Sequence, residues 1–298
     1  MSTHLRARLN TTLLGVALLL PSLVFLALFT GWPLLKTLVS SLYKQNLATR
    51  GEPRFVGLQQ FVDLFTDPAF LQVMANTLVF TAIVVTFSIT LAFLFATLLN
   101  QKLRGMGLFR TSIFYPTILP MVSAATVWML MYDNDFGLIN DVIRFLGGKP
   151  LNFLGTPELA LPALAALTIW KQAGYLMVFY LAGLQSLPAD VVEAGKLDGA
   201  SAWQTLRYIT LPMLRGTTIF VLTIAVTASF QTVDQVYVMT QGGPNNASNL
   251  LLYNIYETAF RFQNTGLAYA MTVVLLAILL IFTVLNSVVA DRKSYDAD

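Results

Sequence analysis

Two sets of polar residues at helical spacing could act on a solute. Thr168, Lys171, Gln172 and Tyr175 fall on one side of two helical turns, and Thr223, Thr227, Gln231 and Asp234 or Gln235 recur every three or four residues. Both sets lie in otherwise apolar runs, where polar groups usually face a cavity or another helix. Hydroxyl, amide, ammonium and carboxylate groups in that setting can hydrogen-bond a polar molecule. They can equally hold helices together, and a threonine can bond to its own helix backbone. No base-and-nucleophile constellation accompanies them, and enzymatic catalysis is not expected. Cysteine is absent and the single histidine is His4, near the N-terminus, so no metal site is expected either.

A third group stands apart. The segment "EAGKLDGASAWQTLRYITLPML", Glu193 to Leu214, puts charge and turn residues between two apolar runs. Pro188 suits the first turn of a short helix, where its missing N–H is harmless. Val191, Val192, Gly195 and Leu197 give that helix an apolar side. Asp198-Gly199 then signals a turn. Ser201 and Gln204 have the Ser-x-x-Gln form of a capping box and start a second helix, with Trp203, Leu206 and Ile209 on its apolar side. Leu211-Pro212 is expected to end it.

The elements that position these groups follow from composition. The chain has 298 residues, 56% hydrophobic and 11% charged, against about a quarter charged in soluble domains. Apolar stretches of about 18 residues or more mark helices that cross the hydrocarbon core. Six fit: Thr12–Trp32, Asn76–Leu99, Thr111–Tyr132, Leu159–Gln185, Thr217–Tyr237 and Leu267–Ala290. The first apolar run is too long for a signal core and is followed by no small-residue cleavage site, so it reads as an anchor. The expected fold is all-α and polytopic, with a six-helix domain over 12–290, short tails over 1–11 and 291–298, and the charged loop at 186–215.

Lys and Arg mark the cytoplasmic side. Arg6 and Arg8 precede the first span, and Lys102, Arg104 and Arg110 follow the second with no acid, whereas the next connection carries Asp133, Asp135, Asp141 and Glu158 against Arg144 and Lys149. Both termini and the 186–215 loop are therefore expected inside. The basic excess reflects topology and gives no reason to expect nucleic acid. On the other side, Phe55, Leu58, Phe61, Val62 and Phe65 predict an amphipathic interfacial helix over Phe55–Phe70. The Gly, Pro and Asn cluster at Thr240–Ser248 predicts a turn.

Glu193-Ala194, Asp198-Gly199-Ala200, Ile209 and Leu211-Pro212 resemble the cytoplasmic "EAA" loop of permease subunits of ABC importers. Gly195 stands for the second alanine, Leu206 for a common Phe and Arg215 for a common Pro. "VGLQQFVDLFTDPAF…NTLVFT" and "GGPNNASNLLLYNIYETAF" resemble loops of the carbohydrate-type permeases, the maltose and glycerol-3-phosphate group. The resemblance implies an inner-membrane subunit that forms, with a second permease subunit, a path for a sugar or polyol derivative such as a glycerol phosphodiester or glycerol 3-phosphate. It further implies two ATPase subunits and an extracytoplasmic solute-binding protein as partners. This chain has no G-x-x-x-x-G-K-[ST] phosphate loop, so ATP-Mg is expected in the ATPases and no cofactor in this chain. By residue-wise match, Glu193, Ala194, Asp198, Gly199 and Ala200 would couple to the ATPase. Thr168, Lys171, Gln172, Tyr175, Thr227, Gln231, Asp234 and Gln235 are the candidate path residues. The alternative is a secondary transporter of a small polar solute, which should show an internal repeat; none is evident.

Overall fold

The computed structural model describes residues 15–16, 18–47, 52–101 and 104–292, with side chains at 196 and 289–292 excepted. His4, Arg6, Arg8, Lys102, Lys293, the N-terminal tail and the start of the first predicted span lie outside the described residues. Among the described residues, five helices are long and apolar enough to cross a membrane, six if one bent pair counts as a single span. The chain separates into two units, one of residues 1–64 and 257–274, the other of 65–256 and 275–298.

In the smaller unit, α1 (Leu18–Ser40) runs eight residues beyond the predicted limit at Trp32, with a π turn at Ala27–Gly31. A two-stranded antiparallel ribbon follows, Tyr43–Lys44 with Arg54–Phe55. The Gln60 amide donates to the carbonyls of Ser41 (2.8 Å) and Tyr43 (3.2 Å), fastening this corner. Gly266 N–H donates to Gln45 O at 3.0 Å. A methyl group on Gly266 would sit 2.5 Å from Tyr43 O, so only glycine fits this approach.

The predicted Phe55–Phe70 helix is divided. Phe55 is in the ribbon, Gly57 takes φ +58°, and the helix proper, α2, is Gln59–Thr66. Asp67 then caps a new helix by accepting from Ala69 N–H at 3.0 Å, and Pro68 occupies its first turn. That helix, α3 (Pro68–Leu99), is the second span and starts eight residues before the predicted Asn76. Apolar periodicity runs across this junction, but the Asp-Pro pair resets the chain.

The larger unit contains a sharper departure. The third predicted span, Thr111–Tyr132, is two helices, α4 (Met106–Ile118) and α5 (Met121–Met131), bent by 99°. Pro120 has no N–H and forces Leu119 into an extended conformation, ψ 134°, which ends α4. A short helix, α6 (Leu138–Phe145), follows. The fourth span, α7 (Pro157–Ser186), matches its predicted limits closely. Then come α8 (Ala189–Leu197) and α9 (Ala202–Gln204), the latter extended by a π turn at Thr205–Thr210 and a turn at Leu211–Met213.

The fifth span is broken too. Helix α10 (Arg215–Phe230) gives way at Gln231–Val233 to α11 (Asp234–Met239). After α12 (Leu251–Tyr256), the last span is α13 (Thr265–Arg292). Between α11 and α12 the Thr240–Ser248 turn forms as expected, with positive φ at Gln241, Gly242, Asn245 and Asn246. Asn76 Nδ2 donates to Asn246 O at 2.7 Å and thereby ties the turn to the start of α3.

Two buried clusters hold this unit together. One joins Phe80 and Val84 of α3 to Leu164 and Leu167 of α7 and Val236 of α11; the other joins Ala92 and Ala96 to Leu176, Tyr180 and Val221. Lipid tails are as apolar as leucine, so close packing, and not transfer from water, selects this arrangement in a bilayer. Alanines and glycines let backbones approach. Gly174 of α7 is the tightest case: a Cβ there would collide with the carbonyl oxygen of Ile113 in α4.

Candidate functional site

The break in the third span leaves the C-terminal carbonyls of α4 without helical partners. Lys171, one turn before Gly174 on α7, supplies a donor: its Nζ hydrogen-bonds Leu119 O. Thr117 Oγ1 returns a bond to Lys171 O at 3.3 Å. A cation at a helix C-terminus is favoured by the local dipole as well as by the hydrogen bond. The one lysine in the middle of a span is thus a cap on a neighbouring helix.

On the same side of α7, Thr168 is 2% exposed. Its hydroxyl donates to Leu164 O at 2.9 Å and accepts from Gln235 Nε2 at 3.0 Å. Two predicted path residues therefore bind each other and join α7 to α11. Asp234 opens the first turn of α11, the end of a helix that favours negative charge. No proline or glycine marks the break before it.

The two breaks face a common cavity of about 340 Å³, walled by Thr168, Lys171, Gln172, Tyr175, Gln231, Asp234 and Gln235. This is within the range of small-molecule pockets, about 300–1,000 Å³. Seven of the eight predicted path residues are brought together there, along with Thr117, Met121, Ala228, Thr232 and Val233, which sequence spacing did not single out. Thr117 and Met121 were signalled by the Leu119-Pro120 pair between them; Thr232 and Val233 had no comparable marker. Gln172 Oε1 is buried there without a hydrogen-bond partner among the described residues. Thr227 is not among the lining residues. Thr223 is engaged elsewhere, donating to Ile219 O at 2.9 Å and accepting from Asn286 of α13, a helix-to-helix tie.

The 186–215 loop forms a helix, a turn and a second helical run. Gly199 takes φ +82°, and the Ser201–Gln204 capping box is complete, with Ser201 N–H donating to Gln204 Oε1 at 2.8 Å. The expected stop at Leu211-Pro212 does not occur. Leu211 N–H reaches back five residues to Leu206 O, and the widened π turn carries the helix through Pro212 to Met213. The expected apolar faces also need correction. Gly195 and Ile209 meet, but Leu197 and Trp203 are 88% and 69% exposed. Glu193, Ala194, Asp198 and Gly199 are exposed as well, with Ala200 half-buried. Glu193 and Ala200 border a second cavity, about 730 Å³, beside Thr97, Asn100 and Gln185.

A hydrogen-bonding wall set at two helix breaks within apolar spans suits a membrane transport component, and the family match assigns that class. Residues 88–295 match the family of binding-protein-dependent transport system inner membrane components. The chain belongs to that family, and is a multi-pass permease of the inner membrane that is not itself catalytic. It is 34% identical over 267 residues to the lactose transport system permease protein of Rhizobium radiobacter, covering 88% of each chain. It is 31% identical over 293 residues, 98% of each chain, to the sn-glycerol-3-phosphate transport system permease protein of Pectobacterium atrosepticum. Its fold is similar to a chain of a bacterial alginate ABC transporter crystallised with an alginate pentasaccharide-bound periplasmic protein. That likeness has a TM-score of 0.83 at 21% identity, over 98% of each chain. The family leaves the secondary-transporter alternative without support.

Proposed function

We propose that this permease forms, with a second permease subunit, the path of an importer for a sugar or polyol derivative. Two ATPase subunits would drive it, and an extracytoplasmic solute-binding protein would deliver the cargo. The observation that carries the reading is the 340 Å³ cavity, where seven polar residues from α7, the fifth-span break and α11 share one wall. The names of the lactose and glycerol-3-phosphate relatives support the substrate class.

In this reading both termini and the 186–215 loop are cytoplasmic, in keeping with the lysine and arginine asymmetry. Glu193, Ala194, Asp198, Gly199 and Ala200 meet the ATPase. The exposure of Leu197 and Trp203 beside them suits a contact that a partner covers. ATP-Mg binds in the ATPases, whose closure swings the loop and turns the cavity from one side of the membrane to the other. The test is reconstitution of the complex in proteoliposomes. Uptake that requires ATP and the loaded binding protein is expected. Uptake by this chain alone, driven by an ion gradient, would overturn the proposal.

A further inference from the structure

At the N-terminal end of α7, the end away from the 186–215 loop, the short helix α6 carries an apolar surface that the cavity does not use. Leu138, Val142, Phe145 and Leu146 are all more than half exposed, Phe145 at 90%. At about 100° per residue they form one stripe along the helix.

The exposure is not slackness in the fold, because the other sides of α6 are firmly tied. Asn140, fully buried, donates to the carbonyls of Asp133 (2.9 Å) and Leu151 (3.0 Å) and accepts from Leu151 N–H at 2.8 Å. Arg144 pairs with Asp141 at 2.7 Å and donates to Asp135 O at 2.8 Å. Ile139 packs on the first buried cluster. The bundle, the stripe and the charged pair thus take three successive sides of one helix, as in an amphipathic helix lying flat beside membrane spans.

Depth identifies what lies against the stripe. The 30 residues of α7 span about 45 Å against about 30 Å of hydrocarbon, so about 7 Å emerges at each end. Tyr132, just after α5, donates its hydroxyl to Ala163 O, about 9 Å inside the N-terminal end of α7. Its ring meets Phe153, ahead of that end, at 4.8 Å. The chain entering α6 is therefore level with the hydrocarbon boundary. No polar side chain interrupts the stripe, whereas a face that a soluble protein visits carries about one hydrogen bond per 100–200 Å².

We infer that α6 is a membrane-interface anchor, with Leu138, Val142, Phe145 and Leu146 set in the acyl and headgroup boundary of the lipid leaflet and Asp141 and Arg144 in water. Through Asn140 it fixes the end of α5, the second half of the broken third span. Lipid contact of this kind needs only the spans, whatever the cargo or energy source.

The test attaches a nitroxide at Val142→Cys or Phe145→Cys, with Asp141→Cys as control, in this otherwise cysteine-free chain. The complete complex is studied in phosphatidylethanolamine–phosphatidylglycerol vesicles. At 142 and 145, collision with oxygen, which concentrates in lipid, should exceed collision with a water-soluble nickel chelate; at 141 the order should reverse. Predominant collision with nickel at 142 and 145 overturns the anchor. If those labels then lose nickel contact when the solute-binding protein is added, the stripe belongs to that protein. Protection of both positions from both reagents assigns the stripe to the second permease subunit and equally overturns the anchor.

Discussion

Replacing Lys171 by Met keeps the unbranched stem as far as Cε and removes the Nζ donor to Leu119 O. Two effects oppose each other. The charge-assisted bond is worth about 1.5–3 kcal/mol, and its loss leaves the end of α4 uncapped inside an apolar bundle. The lysine itself costs about 2.5–3.5 kcal/mol to place at the middle of a span, and that cost disappears. The net change in insertion is within about 2 kcal/mol of zero, so the permease should reach the membrane in near-normal yield. The local change is not offset: the Thr117 bond to Lys171 O survives, but the Leu119 carbonyl at the 99° bend loses its tie to α7. Backbone amides just after the bend, Met121 to Ala124, should exchange hydrogen about tenfold faster, the factor for 1.4 kcal/mol. Transport should fall in parallel. Lys171→Arg, which keeps a cationic donor, should retain more transport than Lys171→Met. Normal exchange at Met121–Ala124 together with normal uptake in Lys171→Met would refute the capping role.

Gly174→Ala should lower the yield of folded permease, because a methyl group there meets Ile113 O, at an overpacking cost of about 1–3 kcal/mol. Gly216→Ala, where no atom lies within 4 Å, is the control and should be neutral in a thermal-stability assay. Gly199→Val forces a β-branched residue to φ +82° and should cost about 1–2 kcal/mol locally; with Glu193→Lys it should reduce stimulation of ATP hydrolysis by the loaded binding protein while insertion persists. Normal uptake in Glu193→Lys would remove that residue from coupling. Ser201→Cys, in this cysteine-free chain, should not react with an impermeant thiol reagent applied from outside intact cells; labelling there would reverse the orientation.

The spans were legible because length and apolarity dictate them, and α7 was placed within two residues of its predicted start and one of its end. The path residues on α7 were legible for the same reason, since a straight helix preserves spacing. Breaks were less so. Leu119-Pro120 carried a local signal inside an apolar run, whereas Gln231–Val233 has neither proline nor glycine and lies between the buried residues Phe230 and Val236. Thr227 is not a wall residue: on α10 it is the neighbouring Ala228, with Gln231 at the break, that lines the cavity. Leu197 and Trp203 were misread for a different reason. Periodicity identifies a face that avoids water but not whether the chain itself or another protein covers it.

The Lys171–Leu119 contact bears on how the chain is made. The bent third span emerges from the ribosome before α7 and carries a backbone carbonyl that its own residues do not satisfy. A free carbonyl in lipid is costly, and so is an unpaired ammonium. Each therefore enters the bilayer as a poor guest until the other arrives. Membrane integration of these two segments is consequently a joint event, and nascent chains that end before Lys171 should leave the third segment waiting at the insertion machinery.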